Sequence, residues 1–241
     1  MDAFIYTAMS GADHAQRSLS VRANNLANAQ TAGYRADVAV AETTDVPGYG
    51  YDSRHQALLS GTLVTHTPGQ LSETGRTLDV AIRGEGYFVV DTDDGTAYTR
   101  AGSFTIDNEG TLLSNSRPVR GEGGPIVLPP HSAVHIGDDG TVSVLAEGES
   151  EMQVVDKLML TKPDPADLVK NERGLLVTRS GMDYPADDTI VVAAGHVEGS
   201  NVSAVEEMMQ TMQLTRSFEM QMRLFRTADE MAEQGNRLVR G

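Results

Sequence analysis

Ser203-Ala204-Val205-Glu206-Glu207-Met208-Met209-Gln210-Thr211-Met212-Gln213-Leu214-Thr215-Arg216-Ser217-Phe218 opens a stretch, 202–241, that contains no proline. Gly199-Ser200-Asn201 ahead of it is a turn, and Ser203-x-x-Glu206 has the pattern of a capping box, in which the first side chain satisfies an orphan helix amide. Val205, Met208, Met212, Thr215, Phe218, Met222 and Phe225 then recur at spacings of three or four, and Ala228, Met231, Ala232 and Leu238 extend the face. The spacing predicts a helix of about 50 Å, longer than the core of one small domain needs. An apolar stripe of that length must be covered by something. Six of the eleven methionines lie between Met208 and Met231. Methionine is unbranched and polarizable, so the stripe predicts a helix–helix surface able to pack in slightly different environments.

The other end predicts a second helix. Ile5, Ala8, Ala12, Ala15, Leu19, Arg22 and Leu26 form a heptad seam, rich enough in alanine for a partner to approach closely. Arg22 is the exception, and its stem is expected to lie along the seam with its head in water. Asn24, Asn25 and Asn28 are weak helix formers and Thr31-Ala32-Gly33 is a breaker, so the helix is expected to stop near Asn28 after roughly 37 Å.

Between the ends the periodicity changes. Leu78–Ile82 and Tyr87–Asp91 are β-rich, and turn pairs recur at Asp94-Gly95, Glu109-Gly110 and Asp139-Gly140. Short apolar runs at 104–106, 112–113, 126–128, 142–145, 153–160, 175–178 and 189–192 complete an all-β pattern suited to an irregular sandwich or barrel. The segment 29–70 is rich in Thr, Gly and Ala, and Pro47-Gly48-Tyr49-Gly50-Tyr51 breaks any helix. The expected organisation is an N-terminal helix (1–28), an extended connector (29–70), a β-rich domain (71–198) and a C-terminal helix (199–241). The two helices are expected to pair as a coiled coil.

Charge follows the same division. The 241 residues hold 34 acids against 19 Lys and Arg, a net charge of −15. Segment 1–44 has four acids and three arginines, and 201–241 has six and five, which leaves −13 to the middle. So negative a surface repels phosphate backbones and argues against nucleic-acid binding. No cysteine is present, which removes disulfides, thiol nucleophiles and thiolate metal sites. The start of the chain lacks the pattern of a cleaved secretory leader, and no run reaches the ~18 apolar residues that span a bilayer.

No pattern points to catalysis. His131-x-x-x-His135 has a spacing used by zinc sites on helices, but Pro129-Pro130 and the alternation around His135 make it a strand, where the two rings stand about 13 Å apart. Asp91-Thr92-Asp93-Asp94-Gly95 resembles the start of a calcium loop but lacks the later acids, so a solvated hairpin turn is the better reading. Gly84-x-Gly86 and Gly121-Glu122-Gly123-Gly124 do not lead into helices and are turns rather than phosphate cradles. No G-x-S-x-G is present. Neither a metal, a cofactor, a small-molecule substrate nor catalytic residues are expected.

Asp2-Ala3-Phe4-Ile5-Tyr6-Thr7-Ala8-Met9-Ser10-Gly11-Ala12, Ala23-Asn24-Asn25-Leu26-Ala27-Asn28 and Thr31-Ala32-Gly33-Tyr34-Arg35 resemble the N-terminal signature of bacterial flagellar rod and hook proteins. Leu78–Phe88 and Tyr98-Thr99-Arg100-Ala101-Gly102-Ser103-Phe104 are similar to that family's β-domain segments. Glu198-Gly199-Ser200-Asn201-Val202, Phe218–Met222 and Thr227-Ala228-Asp229-Glu230 are similar to its C-terminal helix. Within the family the proximal-rod members are the nearest match and the distal-rod members the alternative. A self-contained acidic β-domain with two packed helices, acting as a binding module, is the reading outside it.

The resemblance implies a non-enzymatic subunit whose terminal helices pair as coiled coils, line a tubular axial structure that transmits torque, and form part of the export channel. Its partners would be other copies, neighbouring rod proteins and the flagellar type III export apparatus. It would sit in the rod that spans the periplasm, exported without a cleaved signal peptide and not embedded in the membrane. The residues expected to make the assembly interface are Ile5, Leu19, Leu26, Val205, Met208, Met212, Phe218, Met222 and Phe225.

Overall fold

The computed structural model describes residues 2–45, 55–146, 148–171 and 173–240, with side chains over 9–45, 61–146, 148–171 and 173–238. The Pro47–Tyr51 run and the side chain of Ile5 lie outside the described residues. The described chain is mainly β with one helix at each end, and divides into two compact units.

The first unit gathers 1–27, 37–65 and 203–241. Helix α1 runs Asp2–Ala27, ending where the asparagines and the Thr31-Ala32-Gly33 breaker place it. The last helix, α2, runs Ala204–Arg240. Its start is capped as the capping-box pattern requires, with the Glu206 amide donating to Ser203 Oγ at 3.4 Å. The segment expected as an extended connector contains an antiparallel ribbon, β1 (Asp37–Asp45) with β2 (His55–Val64), and both strands pack on α1. Its register pairs Val38 with Leu63 and shifts at Val40/Ala41. Alternation of small and β-branched residues (Val38, Val40, Thr43, Thr62, Val64) favours this pairing, although the Thr- and Gly-rich composition masks it.

The second unit gathers 28–36 and 66–202. Its strands are short and fall into several small sheets, and among the described residues none closes into a barrel. The largest orders Leu160–Thr161, Tyr87–Thr92, Gly95–Thr99, Leu176–Thr178 and Leu168–Lys170, and a three-stranded sheet joins His131–Ile136, Thr141–Ala146 and Met152–Lys157. The core is built from Val80, Ile82, Phe88, Phe104, Leu112 and Val192 with their neighbours, each such side chain stabilising by ~1.5–3 kcal/mol. Phe88 and Phe104 meet edge to face at 5.2 Å.

The motifs weighed for chemistry take ordinary places here. His131 and His135 stand on one strand, and His131 Nδ1 lies 2.7 Å from the Pro129 carbonyl. Asp93 and Asp94 form the turn of a hairpin and pair with Arg173 at 3.4 and 3.3 Å. Gly86 is at φ 135°, with Ile190 occupying the space a side chain would need.

Candidate assembly interface

The helices of the first unit run antiparallel. Glu207 on α2 meets Asn25 on α1, while Gly11 on α1 meets Gln221 on α2, so facing residue numbers add to 232 at contacts two heptads apart. Among the buried and half-buried positions between these contacts, Gly11, Ala15, Ser18, Arg22 and Asn25 on α1 and Glu207, Thr211, Leu214, Phe218 and Gln221 on α2 lie in line with them. Both sets step by four and three. On α1 the seam is small or polar, and on α2 it mixes Leu214 and Phe218 with Glu207, Thr211 and Gln221; a Cβ on Gly11 would lie 2.9 Å from Gln221 Nε2.

One end of the seam carries a buried polar cluster. Arg22 Nη1 donates to Glu207 Oε1 at 3.0 Å and Asn25 Nδ2 reaches the same oxygen at 3.3 Å. The Asn25 amide also closes two bonds with the Asp37 backbone, donating to its carbonyl at 2.8 Å and accepting from its N–H at 2.9 Å. Asn25 thus serves the start of β1 as a neighbouring strand would. The head of Arg22, expected in water, is instead paired with Glu207, and Asn25 lies fully buried within the helix.

The structure divides the expected interface residues into two groups. Met222, 39% exposed, flanks the seam beside Gln221, whereas Val205, Met208 and Met212 are 67, 49 and 61% exposed and turn away from it. With Met209 they give α2 an exposed run at i, i+3, i+4 and i+7. Phe218 and Phe225 are half-buried, with Phe218 among the seam positions, and Leu19 and Leu26 are half-buried on α1. Sequence reasoning missed Glu207, Asn25 and Ser18 as seam residues because periodicity counts apolar side chains, and these are polar. The doubled asparagine inside a helix is the signal that marks the site.

The second unit holds a separate charge cluster where the two chain ends leave it. Glu198 Oε1 takes Arg35 Nη2 at 2.7 Å and the Gly69 amide at 2.8 Å, and Oε2 takes Arg100 Nη1 at 2.9 Å. Arg35 and Glu198 are 1% exposed and Arg100 4%. The Arg100 guanidinium also lies 5.3 Å from the Tyr87 ring. Burial lowers the pKa of Arg100, opposed by the Glu198 carboxylate, and burial raises that of Tyr87, opposed by the two arginines. His66 Nδ1 lies 3.0 Å from the Tyr87 hydroxyl. Burial lowers its pKa from 6.5, a hydrogen bond to the Pro165 backbone opposes this, and the charge of Arg35 adds to the lowering.

This direction fixes a pH dependence. The unfolded chain protonates His66 more readily than the folded chain, so this part of the stability is complete above about 6.5 and is lost as pH falls from there toward the folded value. The thermal midpoint is expected to drop between about pH 7 and pH 5.5, and His66→Gln is expected to flatten that slope. Parallel slopes for parent and variant would contradict the burial of a neutral imidazole.

A folded β unit joined to a long helix that carries an exposed methionine run has the features of an assembly protein. Three family models match the chain. Residues 5–35 match "Flagella basal body rod protein", 81–144 match "Flagellar hook protein FlgE/F/G D1 domain", and 193–238 match "Flagellar basal body rod FlgEFG protein C-terminal". The chain is 37% identical over 248 residues to the flagellar basal-body rod protein FlgF of Salmonella typhimurium, and 37% identical over 249 residues to that of Escherichia coli, covering 99% of both chains in each case. It is 32% identical over 254 residues to the rod protein FlgG of Bacillus subtilis, covering 95% of this chain and 96% of that one. The chain belongs to the flagellar basal-body rod protein family.

Proposed function

We propose that the chain is a subunit of the proximal rod, assembling through its terminal helices with other copies and with neighbouring rod proteins. As a member of its family it is a structural component of the flagellar basal-body rod. Support for the proximal position comes from the higher identity and fuller coverage toward the FlgF proteins of Salmonella typhimurium and Escherichia coli than toward FlgG of Bacillus subtilis. In this reading α1 and α2 pair as an antiparallel coiled coil and form the axial part, and residues 71–198 form the outer domain. The connector ribbon packs beside α1. Export through the flagellar type III apparatus, without a cleaved leader, into the rod that spans the periplasm belongs to the same proposal; no described helix is long and apolar enough to cross a membrane.

The observation that carries the assembly mechanism is the exposed face of α2. Its other face is already occupied by α1, yet Val205, Met208, Met209 and Met212 stay exposed. Burying this run against neighbouring subunits supplies the driving force, and repeated contacts that do not close on themselves generate a helical tube. Ile5, Leu19, Leu26, Phe218, Met222 and Phe225 complete the proposed interface. Phe218 differs from the methionines because it also serves the seam within the chain.

Met212→Asp tests this most cleanly. Met212 is 61% exposed, so the monomer is expected to change by no more than about 0.5 kcal/mol. A charge placed in a packed helix interface is expected to abolish rod assembly, read as loss of swimming and absence of the chain from purified basal bodies. Wild-type swimming with the variant present in basal bodies would overturn the assignment of this face.

A further inference from the structure

We infer that the buried Glu207–Arg22–Asn25 cluster is a register lock, fixing how far α1 slides along α2 and which face of α2 it covers. The rest of the seam does not do this. Gly11, Ala15 and Ser18 on α1 are small and uncharged, so none of them brings a charge that ties it to one partner on α2. Small apolar contacts reward closeness more than register. Apolar burial alone does not single out the observed pairing, because Val205, Met208, Met209 and Met212 offer a second hydrophobic face on α2.

The polar cluster singles it out. Glu207 is 6% exposed, and its Oε1 has both Arg22 Nη1 and Asn25 Nδ2 within hydrogen-bond distance. Asn25 is held in turn by both backbone groups of Asp37, so its position is set by β1 rather than by α2. A slip of one heptad that brings Ser18 opposite Gln221 sets Asn25 against Leu214 and carries Glu207 past the end of α1, separating the carboxylate from its cation. Rotation of α2 to present the methionine face does the same. A buried charge left without its partners is costly, and a single buried polar contact is a known way to select one register among near-equals at some cost in stability. The lock keeps the methionine run outward. That consequence rests on the assembly proposal, but the lock itself is a property of the isolated chain and is tested there.

The chain has no cysteine, so introduced pairs report pairing directly. Ser18→Cys with Leu214→Cys faces in the observed register. Ser18→Cys with Gln221→Cys faces only after a one-heptad slip, and Ser18→Cys with Met212→Cys only if α2 turns its other face. Disulfide formation in a glutathione redox buffer is followed on dilute full-length chain. The first pair alone is expected to close in the parent, at least about tenfold faster than the others. Glu207→Leu is expected to bring a second pair to a comparable rate, while Glu207→Gln, which retains an oxygen for both donors, keeps the single register. Should Glu207→Leu lose its helix content by circular dichroism, the double variant Arg22→Leu with Glu207→Leu leaves no charge unpaired and carries the same expectation. Exclusive closure of the first pair in these leucine variants overturns the lock, and so does a parent that closes all three pairs or none. Failure of Met212→Asp to block assembly leaves this result untouched, so the two ideas fail separately.

Discussion

Glu198→Ala is expected to cost the second unit about 3–5 kcal/mol, the range for breaking a buried ion pair by removing one partner. The substitution leaves Arg35 and Arg100, both at least 96% buried by side chain, without the carboxylate that balances them. It also frees the Gly69 amide, which donates to the same carboxylate. Against a total stability of ~5–15 kcal/mol, such a loss places the unit near unfolding. The chain has no tryptophan but seven tyrosines, and Tyr87 and Tyr98 are buried, so near-ultraviolet circular dichroism in urea reports it. At ~1–3 kcal/mol per molar urea, the midpoint is expected to fall by roughly 2 M. A midpoint within roughly 0.3 M of the parent would show that water or neighbouring groups already neutralise the arginines.

The same reasoning distinguishes this cluster from ion pairs at the surface. Arg173 pairs with Asp93 and Asp94 at similar distances, but the three side chains are 53, 92 and 69% exposed, where such contacts contribute ~0–1 kcal/mol. Replacing Arg35, Arg100 and Glu198 together with methionine removes all three buried charges and is expected to recover most of the loss. It does not recover all, since the Gly69 amide and the Gly84 carbonyl, which accepts from Arg100 Nη2 at 2.6 Å, lose their partners.

Element type was legible wherever one periodicity ruled. The capping pattern at Ser203 and the absence of proline gave α2, and the asparagines before Thr31 gave the end of α1. The Tyr98–Phe104 run is legible as a resemblance, and the structure supplies its reasons. Thr99 Oγ1 accepts from the Ala101 amide, Arg100 holds Glu198, Ser103 donates to Asp79 and Phe104 packs on Phe88. The partners of these residues lie up to about a hundred positions away, and no local pattern names them. The polar members of the contact between the helices, Ser18, Asn25 and Glu207, are not named by periodicity for a related reason. An apolar count follows the most hydrophobic face, whereas α1 covers the face that satisfies Glu207. The ribbon in 37–64 was hidden because Ala, Thr, Ser and Gly interrupt its apolar alternation and its two strands pair only with each other.

Gly102 in that run carries the largest steric constraint in the second unit. Its amide neighbourhood is crossed by another strand: the Val80 amide donates to the Gly102 carbonyl at 2.9 Å, and the Val80 carbonyl lies where a side chain would begin. A Cβ on Gly102 would sit 1.6 Å from Val80 O and 3.1 Å from Phe88 Cε2. Neither neighbour can yield by a rotamer change. Val80 is fully buried in a strand paired with Val191–Ala194, and Phe88 is packed edge to face on Phe104. Relief therefore requires the two backbones to separate, which breaks that hydrogen bond and opens the core around Phe88. Gly102→Ala is expected to destabilise by about 4 kcal/mol or more, in the range kept for strain that nothing relaxes. Gly123→Ala provides the comparison, because its Cβ would meet only Asp156 Oδ2 at 3.6 Å, an ordinary contact. That variant is expected to stay within about 0.5 kcal/mol of the parent. If the two alanine variants melt together, the close approach of the Arg100–Phe104 segment to Val80 is not what the second unit is built around. If they separate as expected, the glycine in the family-like run is there because two backbones need the space.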